Sequence, residues 1–372
     1  MDGPVLIVAN SARMLAQSLR RAGIQPIALD LFADLDTRLA CLAWYRVPDR
    51  DGRFDSGVLW EMIQSVLAKH RPQAWLYGSG LEAFPDLIEQ LSRRCPLFGN
   101  RAEAARICTN PREFFPLLDR LAIPYPEIRW SAPPIPVGLG ESGWVVKQGG
   151  EGGRGVSVYR GGSSAGYYQR YLPGAVYTLA FLAGMGQVWW YGFNTLFQAG
   201  YNAHRPFLFA GAINRASLPS KVAEAVIAYA SRLSRVLDLR GLNGLDFMLD
   251  GDLPRVLELN PRPGAALGLW DSAWPLGLMA AQIRLCRGEQ VRGFAPVPVN
   301  GFRIVFAHRE VQVPLAWQWP PWCADLTPPG TIVAADAPLC SVVASGSSVA
   351  EVEARLAERE SWVKKQLYQL IE

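Results

Sequence analysis

The chain has 372 residues, of which 50% are hydrophobic and 19% are charged, and its formal net charge is +4 at pH 7. This composition supports a buried core and excludes a disordered chain, while the length favours two or three domains. The slight positive charge contains no dense run of Lys or Arg, which argues against a nucleic-acid partner. No charge-free apolar run is long enough to span a membrane, and residues 1–4 do not resemble a signal peptide, so we expect no membrane association.

Cysteine and histidine positions also restrict the chemistry. The six cysteines are scattered without a C-x-x-C spacing, and the three histidines lack the spacing of a zinc site. We therefore expect reduced thiols in a cytoplasmic protein.

The first 107 residues alternate between strand and helix patterns. An apolar strand pattern at 5–9 precedes an amphipathic helix pattern, and a second strand is predicted at 27–30. A strand at 74–80 runs into a loop, and a helix is predicted from residue 82 to residue 93. This alternation predicts an open α/β domain over residues 1–107.

A glycine-rich loop follows the apolar strand pattern at 144–147. Five glycines lie between residues 149 and 155, and a second strand pattern begins at Val156. Such a loop can bring backbone N–H groups close to phosphate oxygens, and Lys147 inside an apolar strand needs an anion nearby. The spacing is neither a Walker A loop nor a dinucleotide fingerprint. Taken alone, the pattern fits a flexible hairpin tip with an exposed lysine equally well.

The stretch 244–263 is the most informative part of the chain. It predicts a β-hairpin with two apolar arms and a turn around Asp252. Asp246 lies in the first arm and Glu258 in the second, so the two carboxylates face each other if the arms pair symmetrically about Asp252. Asn260 is two residues beyond Glu258 and therefore points to the same face.

Two opposed carboxylates in an apolar sheet repel each other and indicate that a cation lies between them. The oxygen ligands of Asp246, Glu258 and Asn260 suit Mg²⁺ or Mn²⁺, with phosphate oxygens and water completing the shell. Arg262 follows and can donate to a phosphate or a carboxylate. Each residue alone fits a surface acid, an ion pair or a turn, but the combination favours a metal–nucleotide site.

The remaining segments complete the predicted organisation. Residues 220–237 carry apolar side chains at helical spacing and predict a helix with one face in the core. Residues 296–298 mark a linker. Beyond it, strands are predicted at 302–307, near Ile332 and at 341–344, with a charged helix from residue 348 onward.

Together these segments resemble the ATP-grasp superfamily. The resemblance rests on residues 145–147, the glycines at 149–155, the stretch 169–174, and Asp246, Glu258, Asn260 and Arg262. It implies an ATP-grasp fold of the α/β and α+β classes with three parts. These are an N-terminal open α/β (pre-ATP-grasp) domain at 1–107, the ATP-grasp domain at 108–290, and a small C-terminal β-rich lobe with a terminal helix at 291–372. The opening is similar to that of a carboligase-like group.

The resemblance also implies ATP and Mg²⁺ (or Mn²⁺) as ligands and a role for each matching residue. By this resemblance, Lys147, Gly152 and Gly153 contact the phosphates, and Gln169, Tyr171 and Leu172 form the hinge that binds adenine. The metal ligands are Asp246, Glu258 and Asn260. The catalytic residues are Lys147 and Arg262.

Three positions depart from the superfamily pattern. Arg112 stands where an early lysine is common, and Arg and Lys are not interchangeable. Gln148 stands where proline is frequent, and Gln169 offers an amide where a carboxylate usually binds the ribose. The nucleotide pocket is therefore less well defined by the resemblance than the metal site.

The implied reaction is ATP-dependent joining of a small carboxylate to an amine through an acyl phosphate, as in amino-acid ligases of cofactor biosynthesis. Two alternatives stay open: a carboxylase-like enzyme that activates bicarbonate as carboxyphosphate, and a non-catalytic ATP-binding protein. Homodimers are common among enzymes of this layout, so a homodimer is expected.

Four basic residues are candidates for binding the substrate carboxylate: His204, Arg205, Arg215 and Arg303. Equally, the first three fit ordinary loop residues, and Arg303 inside an apolar strand fits an ion pair.

Overall fold

The computed structural model describes residues 3–50, 52–134, 143–148, 155–162, 165–199, 206–291 and 293–369. The N-terminal region comprises β1 (Val5–Ala9), α1 (Arg13–Arg21), β2 (Pro26–Asp30), α2 (Leu35–Ala40), β3 (Ala43–Arg46), β4 (Asp49–Arg50), β5 (Arg53–Phe54), α3 (Ser56–His70), β6 (Ala74–Tyr77), α4 (Pro85–Ser92) and α5 (Ala102–Thr109). Four of these strands form a parallel sheet in the order β3-β2-β1-β6. Every residue of β1, β2 and β6 is buried, as is typical of parallel strands covered on both faces.

The helix predicted at 82–93 is divided in two. A short 3-10 helix covers Leu81–Ala83, and α4 begins separately at Pro85. Proline lacks a backbone N–H and suits the first turn of a helix, so it begins a new helix here.

The middle of the chain builds two antiparallel sheets. Its elements are α6 (Pro111–Arg120), β7 (Ile128–Arg129), β8 (Trp144–Lys147), β9 (Val156–Val158), β10 (Tyr167–Arg170), β11 (Val176–Gly184), β12 (Gln187–Gln198), β13 (Phe209–Asn214), α7 (Ser220–Leu237), β14 (Gly241–Asp250), β15 (Leu253–Asn260), two 3-10 helices (Ala265–Leu269 and Asp271–Ala273) and α8 (Leu278–Cys286). The smaller sheet has the order β7-β10-β8-β9.

The C-terminal part extends the larger sheet. Its elements are β16 (Val299–Phe306), β17 (Val311–Gln312), β18 (Cys323–Ala324), β19 (Ile332–Val333), β20 (Pro338–Gly346) and α9 (Val349–Gln369). The larger sheet has eight strands in the order β15-β14-β11-β12-β13-β16-β20-β18, so it crosses the predicted boundary between residues 290 and 291. The division into three domains stays a prediction. Within the described part of the chain, no helix is both long and apolar enough to cross a membrane.

The larger sheet presents different chemistry on its two faces. Along β11, Leu179 and Phe181 pack into the core beneath α7, while Thr178 and Ala180 point to the opposite face. This alternation follows the two-residue period of a strand. The helix α7 has the predicted bounds and buries its apolar stripe at Val222, Val226, Ala230, Leu233 and Leu237. Part of the opposite face packs against α1 and α8, and another part lines a cavity.

Candidate active site

A cavity of about 360 Å³ lies between the smaller sheet and the face of the larger sheet opposite α7. Eight of the predicted site residues line it: Lys147, Gln169, Tyr171, Leu172, Asp246, Glu258, Asn260 and Arg262. The two predicted glycines, Gly152 and Gly153, lie outside the described residues. Segments more than a hundred positions apart in the sequence thus meet around one space.

The predicted hairpin is present as β14 and β15, and Asp246 lies opposite Glu258. The turn is one residue shorter than symmetric pairing about Asp252 requires, since Asp250 pairs with Leu253. A β-bulge restores the alignment: Phe247 pairs with Val256 and Asp246 with Glu258, which leaves one unpaired residue between the two partners on β15. The predicted register is correct, although the bulge and not the turn produces it.

The unpaired residue in this bulge is Leu257, and it also lines the cavity. Bulges re-aim side chains next to functional sites. An apolar side chain therefore lies directly beside the acidic pair.

Asn260 lies on the same face as the two acids, as predicted. Its Nδ2 is 3.1 Å from Asp246 Oδ2 and 3.4 Å from Glu258 Oε1, and its Oδ1 accepts a hydrogen bond from Arg262. Within the described residues there is no cluster of three or more His, Cys, Asp or Glu side chains that could hold a metal. The two carboxylates nevertheless match the ligands that Mg²⁺ prefers. Asn260 adds its oxygen to them once its amide turns by half, which exchanges the positions of Nδ2 and Oδ1.

The electrostatics of the acidic pair also suit a bound cation. Burial and the repulsion from Glu258 raise the pKa of Asp246 to about 7, against the opposing effects of a Thr178 hydrogen bond and Arg262. A divalent cation between the carboxylates would remove this repulsion, because it favours both charged forms. The residues present therefore fit Mg²⁺.

This raised pKa gives a testable pH dependence. The pKa of Asp246 is about 7 in the folded protein and about 4 in an unfolded chain. Between these two pH values the folded protein therefore holds one more proton than the unfolded chain. Without metal, the free energy of unfolding should decrease as pH rises through this window. Mg²⁺ binds the ionised pair, so its stabilising effect should increase over the same window. Thermal unfolding at a series of pH values, with and without Mg²⁺, measures both trends. The Asp246→Asn variant should flatten them, and unchanged slopes in that variant would refute the assignment.

Lys147 ends β8 opposite Tyr167 on β10. Its side chain is buried, with 9% exposure. Burial alone lowers the pKa of Lys147, but the attraction of Tyr167, Glu258 and Asp246 outweighs this, so its pKa is raised. A cation that stays charged thus faces the acidic pair across the cavity, as a phosphate-binding lysine requires.

The predicted hinge follows β10. Gln169 shares the cavity face of the smaller sheet with Lys147, and its Nε2 is buried without a hydrogen-bond partner among the described residues. Tyr171 and Leu172 line the cavity beyond it. An unpaired buried amide is costly unless a ligand satisfies it, which fits a nucleotide-binding role for Gln169.

Arg262 has a partner that the sequence pattern did not predict. Its Nε donates to Glu82 Oε1 at 2.8 Å, and its Nη2 donates to Asn260 Oδ1 at 3.0 Å. The two ion-paired side chains are only 14% and 12% exposed. Glu82 belongs to the N-terminal region, so this contact ties that region to the metal-binding hairpin. No local motif links two residues so far apart in sequence.

Of the other basic candidates, the two that the structure describes, Arg215 and Arg303, do not line the cavity. Arg303 forms an ion pair with Glu360 at 3.2 Å, and Arg215 donates to the Val297 carbonyl at 3.0 Å. His204 and Arg205 fall outside the described residues.

Arg112 is also absent from the cavity lining. It lies in the first turn of α6, and its guanidinium lies over the Trp130 ring at 4.4 Å. Trp130 in turn contacts Tyr167, the partner of Lys147 across the ladder. Arg112, at the position where an early lysine was expected, thus reaches the site only indirectly, through Trp130 and Tyr167.

Comparison with known proteins identifies the domain. Residues 108–266 match the family model of an ATP-grasp domain. The chain is similar to biotin carboxylase from Campylobacter jejuni, solved as a β,γ-ATP complex, with a TM-score of 0.72, 14% identity, and coverage of 95% of this chain and 90% of that chain. It is also similar to N5-carboxyaminoimidazole synthetase from Staphylococcus aureus complexed with ADP, with a TM-score of 0.69, 13% identity and 97% coverage of both chains.

A third similar structure is the biotin carboxylase domain dimer of 2-oxoglutarate carboxylase from Hydrogenobacter thermophilus, in complex with MgADP, ADP and bicarbonate. Its TM-score is 0.73 at 12% identity, covering 96% of this chain and 89% of that chain. No curated protein matches the chain in sequence. The chain therefore has the ATP-grasp fold, which confirms the predicted fold class, and residues 108–266 match the predicted family, the ATP-grasp domain.

Proposed function

We propose that this protein is an ATP- and Mg²⁺-dependent ligase that phosphorylates a substrate carboxylate and couples the resulting acyl phosphate to an amine. The main support is the opposition of Asp246 and Glu258, with Asn260 beside them, in one cavity with Lys147. These residue types provide metal ligands and a phosphate-binding cation. The substrates of this reaction are a small carboxylic acid and an amine.

The proposed chemistry has two steps. First, a carboxylate oxygen of the acid attacks the γ-phosphorus of ATP, the bond to the β–γ bridging oxygen breaks, and ADP leaves. Second, the amine nitrogen attacks the acyl carbon, loses a proton, and displaces inorganic phosphate, which keeps the oxygen that the acid supplied. Such transfers depend on positioning and charge neutralisation more than on covalent chemistry by the protein.

Each site residue has a part in this scheme. Asp246, Glu258 and Asn260 would hold Mg²⁺, which supplies charge neutralisation on the phosphates when bound. Lys147 stays protonated and donates to a phosphate oxygen. Metal binding through Asn260 Oδ1 turns this amide away from Arg262 and frees Nη2. With only Nε held by Glu82, we assign the remaining guanidinium N–H groups of Arg262 to the phosphoryl group that is transferred.

The second candidate is activation of bicarbonate as carboxyphosphate. Two of the similar structures are biotin carboxylases, and one of them contains bicarbonate. In this reaction bicarbonate replaces the organic acid, and the same residues bind ATP and metal. The predicted homodimer and cytoplasmic location stay predictions, although one of the similar structures is described as a dimer.

ADP release tests the proposal directly. Purified protein with Mg²⁺ and ATP is supplied with pools of carboxylic acids, with bicarbonate, or with neither, and hydroxylamine serves as the amine that traps acyl phosphate as a hydroxamate. We expect ADP release that requires Mg²⁺ and one acid pool, with an equal amount of hydroxamate. Stimulation by bicarbonate alone would favour the second candidate, and absence of ATP binding would refute both.

A further inference from the structure

One buried amide in the cavity wall has no role in the scheme above. Asn194 lies on β12 with 0% exposure, lines the cavity, and has an Nδ2 group with no hydrogen-bond partner among the described residues. Because an unsatisfied buried donor destabilises the folded protein, natural structures contain few of them. This donor therefore needs an explanation.

The orientation of this amide is fixed by its other atom. The Nε1 of Trp270 donates to Asn194 Oδ1 at 2.7 Å. Indole nitrogen is a donor only, so the amide cannot rotate by half a turn without placing two donors against each other. Nδ2 is thus held as the free donor.

Two further features keep this arrangement in place. A Cβ on Gly192 would lie 2.0 Å from the Trp270 ring, so the absence of a side chain there gives the indole its position. Ala180 pairs with Gly192 and Phe181 with Trp190, which makes Tyr191 the extra residue of a β-bulge. Tyr191 lines the cavity, so the bulge turns an aromatic ring toward the same space.

The wall around Asn194 is mostly apolar and carries no positive charge among the described residues. Its other polar members are Thr178, whose side chain hydrogen-bonds to Asp246, and Gln198 near the end of β12. The wall is formed by β11, β12 and the 3-10 helix Ala265–Leu269, with Ala180, Tyr191, Leu196 and Leu267 facing the cavity. The cationic side chains that line the described cavity are Lys147, Arg170 and Arg262, and none of them lies on these elements. A ligand with a second anionic group next to this wall would therefore bury that charge without a cationic partner, which is unfavourable.

The register also sets the distance between this donor and the metal ligands. Asp246 pairs with Thr178, and Thr178 pairs with Asn194. Two strand spacings separate Asp246 from Asn194, which is roughly 10 Å. A ligand that reaches both must pass Thr178, whose side chain is hydrogen-bonded to Asp246, and then the apolar side chains of this wall.

We infer that Asn194 is a positioning residue for the acid substrate, and that this substrate is a monocarboxylic acid whose apolar body ends in a neutral hydrogen-bond acceptor. This inference rests on the proposed function, which places the reacting carboxylate at the metal. Nδ2 of Asn194 donates to the distal carbonyl, ether or hydroxyl oxygen, and the wall with Tyr191 covers the apolar body. A diacid would place its second carboxylate on a wall without a compensating cation, and bicarbonate is too short to reach Asn194 from the metal ligands.

Matched pairs of acids test the inference. Methyl-ketone monoacids are compared with the diacids of the same length, from succinate to pimelate, in the hydroxamate assay. A methyl ketone replaces the distal carboxylate with a neutral acceptor of the same shape. At the best length we expect at least about a tenfold higher kcat/KM for the keto acid. Equal or better use of the diacid, or no turnover with any acid while Mg·ATP binds, would overturn the inference.

The variant Asn194→Asp removes the donor but keeps an oxygen for Trp270. We expect about a tenfold rise in KM for the keto acid, with kcat and the KM for ATP little changed. The control is Asn214→Asp, because Asn214 faces Asn194 on β13 and has both amide atoms hydrogen-bonded. The control should lower Tm without changing the preference for keto acid over diacid.

A binding measurement separates the two levels of the proposal. Thermal unfolding of the wild-type protein with a non-hydrolysable ATP analogue and Mg²⁺ reports nucleotide binding without any acid. Absence of stabilisation would contradict the proposed function itself. Stabilisation together with an unchanged KM in Asn194→Asp would contradict the role of Asn194 alone.

Discussion

An Asp246→Asn variant is expected to lose ATP-dependent turnover by roughly three orders of magnitude, since several kcal/mol of charge stabilisation at the metal correspond to such a factor. The fold should remain intact, because an amide oxygen at this position can still accept the Thr178 hydrogen bond and the repulsion from Glu258 disappears. The measurement is Mg²⁺-dependent ADP release, with Tm measured in parallel.

The matched control for this variant is Asp252→Asn in the turn of the same hairpin. Asp252 is exposed and lies at the far end of the hairpin from the cavity. It should keep full activity. Unchanged turnover in Asp246→Asn, or equal losses in both variants, would refute the metal-binding role of Asp246.

The second large effect is expected for Lys147→Met, which removes the charge but keeps a chain of similar length. A hydrogen bond from a charged donor to phosphate is worth about 2–3 kcal/mol, so the KM for ATP should rise about a hundredfold. The remaining carboxylates also lose a compensating cation, because Glu258 and Asp246 both interact with Lys147. Calorimetric titration with Mg²⁺ and a non-hydrolysable ATP analogue gives the affinity directly.

Lys221→Met is the control for this loss. Lys221 is exposed in the first turn of α7 and faces solvent. It should bind the nucleotide analogue as the wild-type protein does. An affinity of Lys147→Met equal to that of the control would show that Lys147 does not contact phosphate.

The sequence pattern predicted those parts of the site that depend on strand periodicity. Side chains two residues apart share a face, so Glu258 and Asn260 were placed together correctly, and Lys147 was correctly assigned to a strand. The bulge at Leu257 could not be predicted from the sequence. A two-residue turn followed by a bulge places Asp246 opposite Glu258, and a three-residue turn without a bulge gives the same pairing.

Contacts between residues far apart in the sequence could not be predicted from local sequence patterns. Glu82 meets Arg262 only through packing of the N-terminal region against the hairpin. Asn194 gave one available signal, an amide inside a strand rich in aromatic residues, but its link to Trp270 depends on a separate segment. Arg215 and Arg303 were candidates by their sequence pattern, but neither lines the cavity. Arg215 donates to the Val297 carbonyl, and Arg303 forms an ion pair with Glu360.

The central claim is that an oxygen of the acid becomes bonded to the γ-phosphorus of ATP. The most direct test labels the carboxylate of the active acid with oxygen-18 and analyses the inorganic phosphate released in the hydroxylamine assay. The proposed mechanism predicts one labelled oxygen in each phosphate, formed in step with ADP and hydroxamate. Hydroxamate formation with unlabelled phosphate would contradict the acyl-phosphate mechanism.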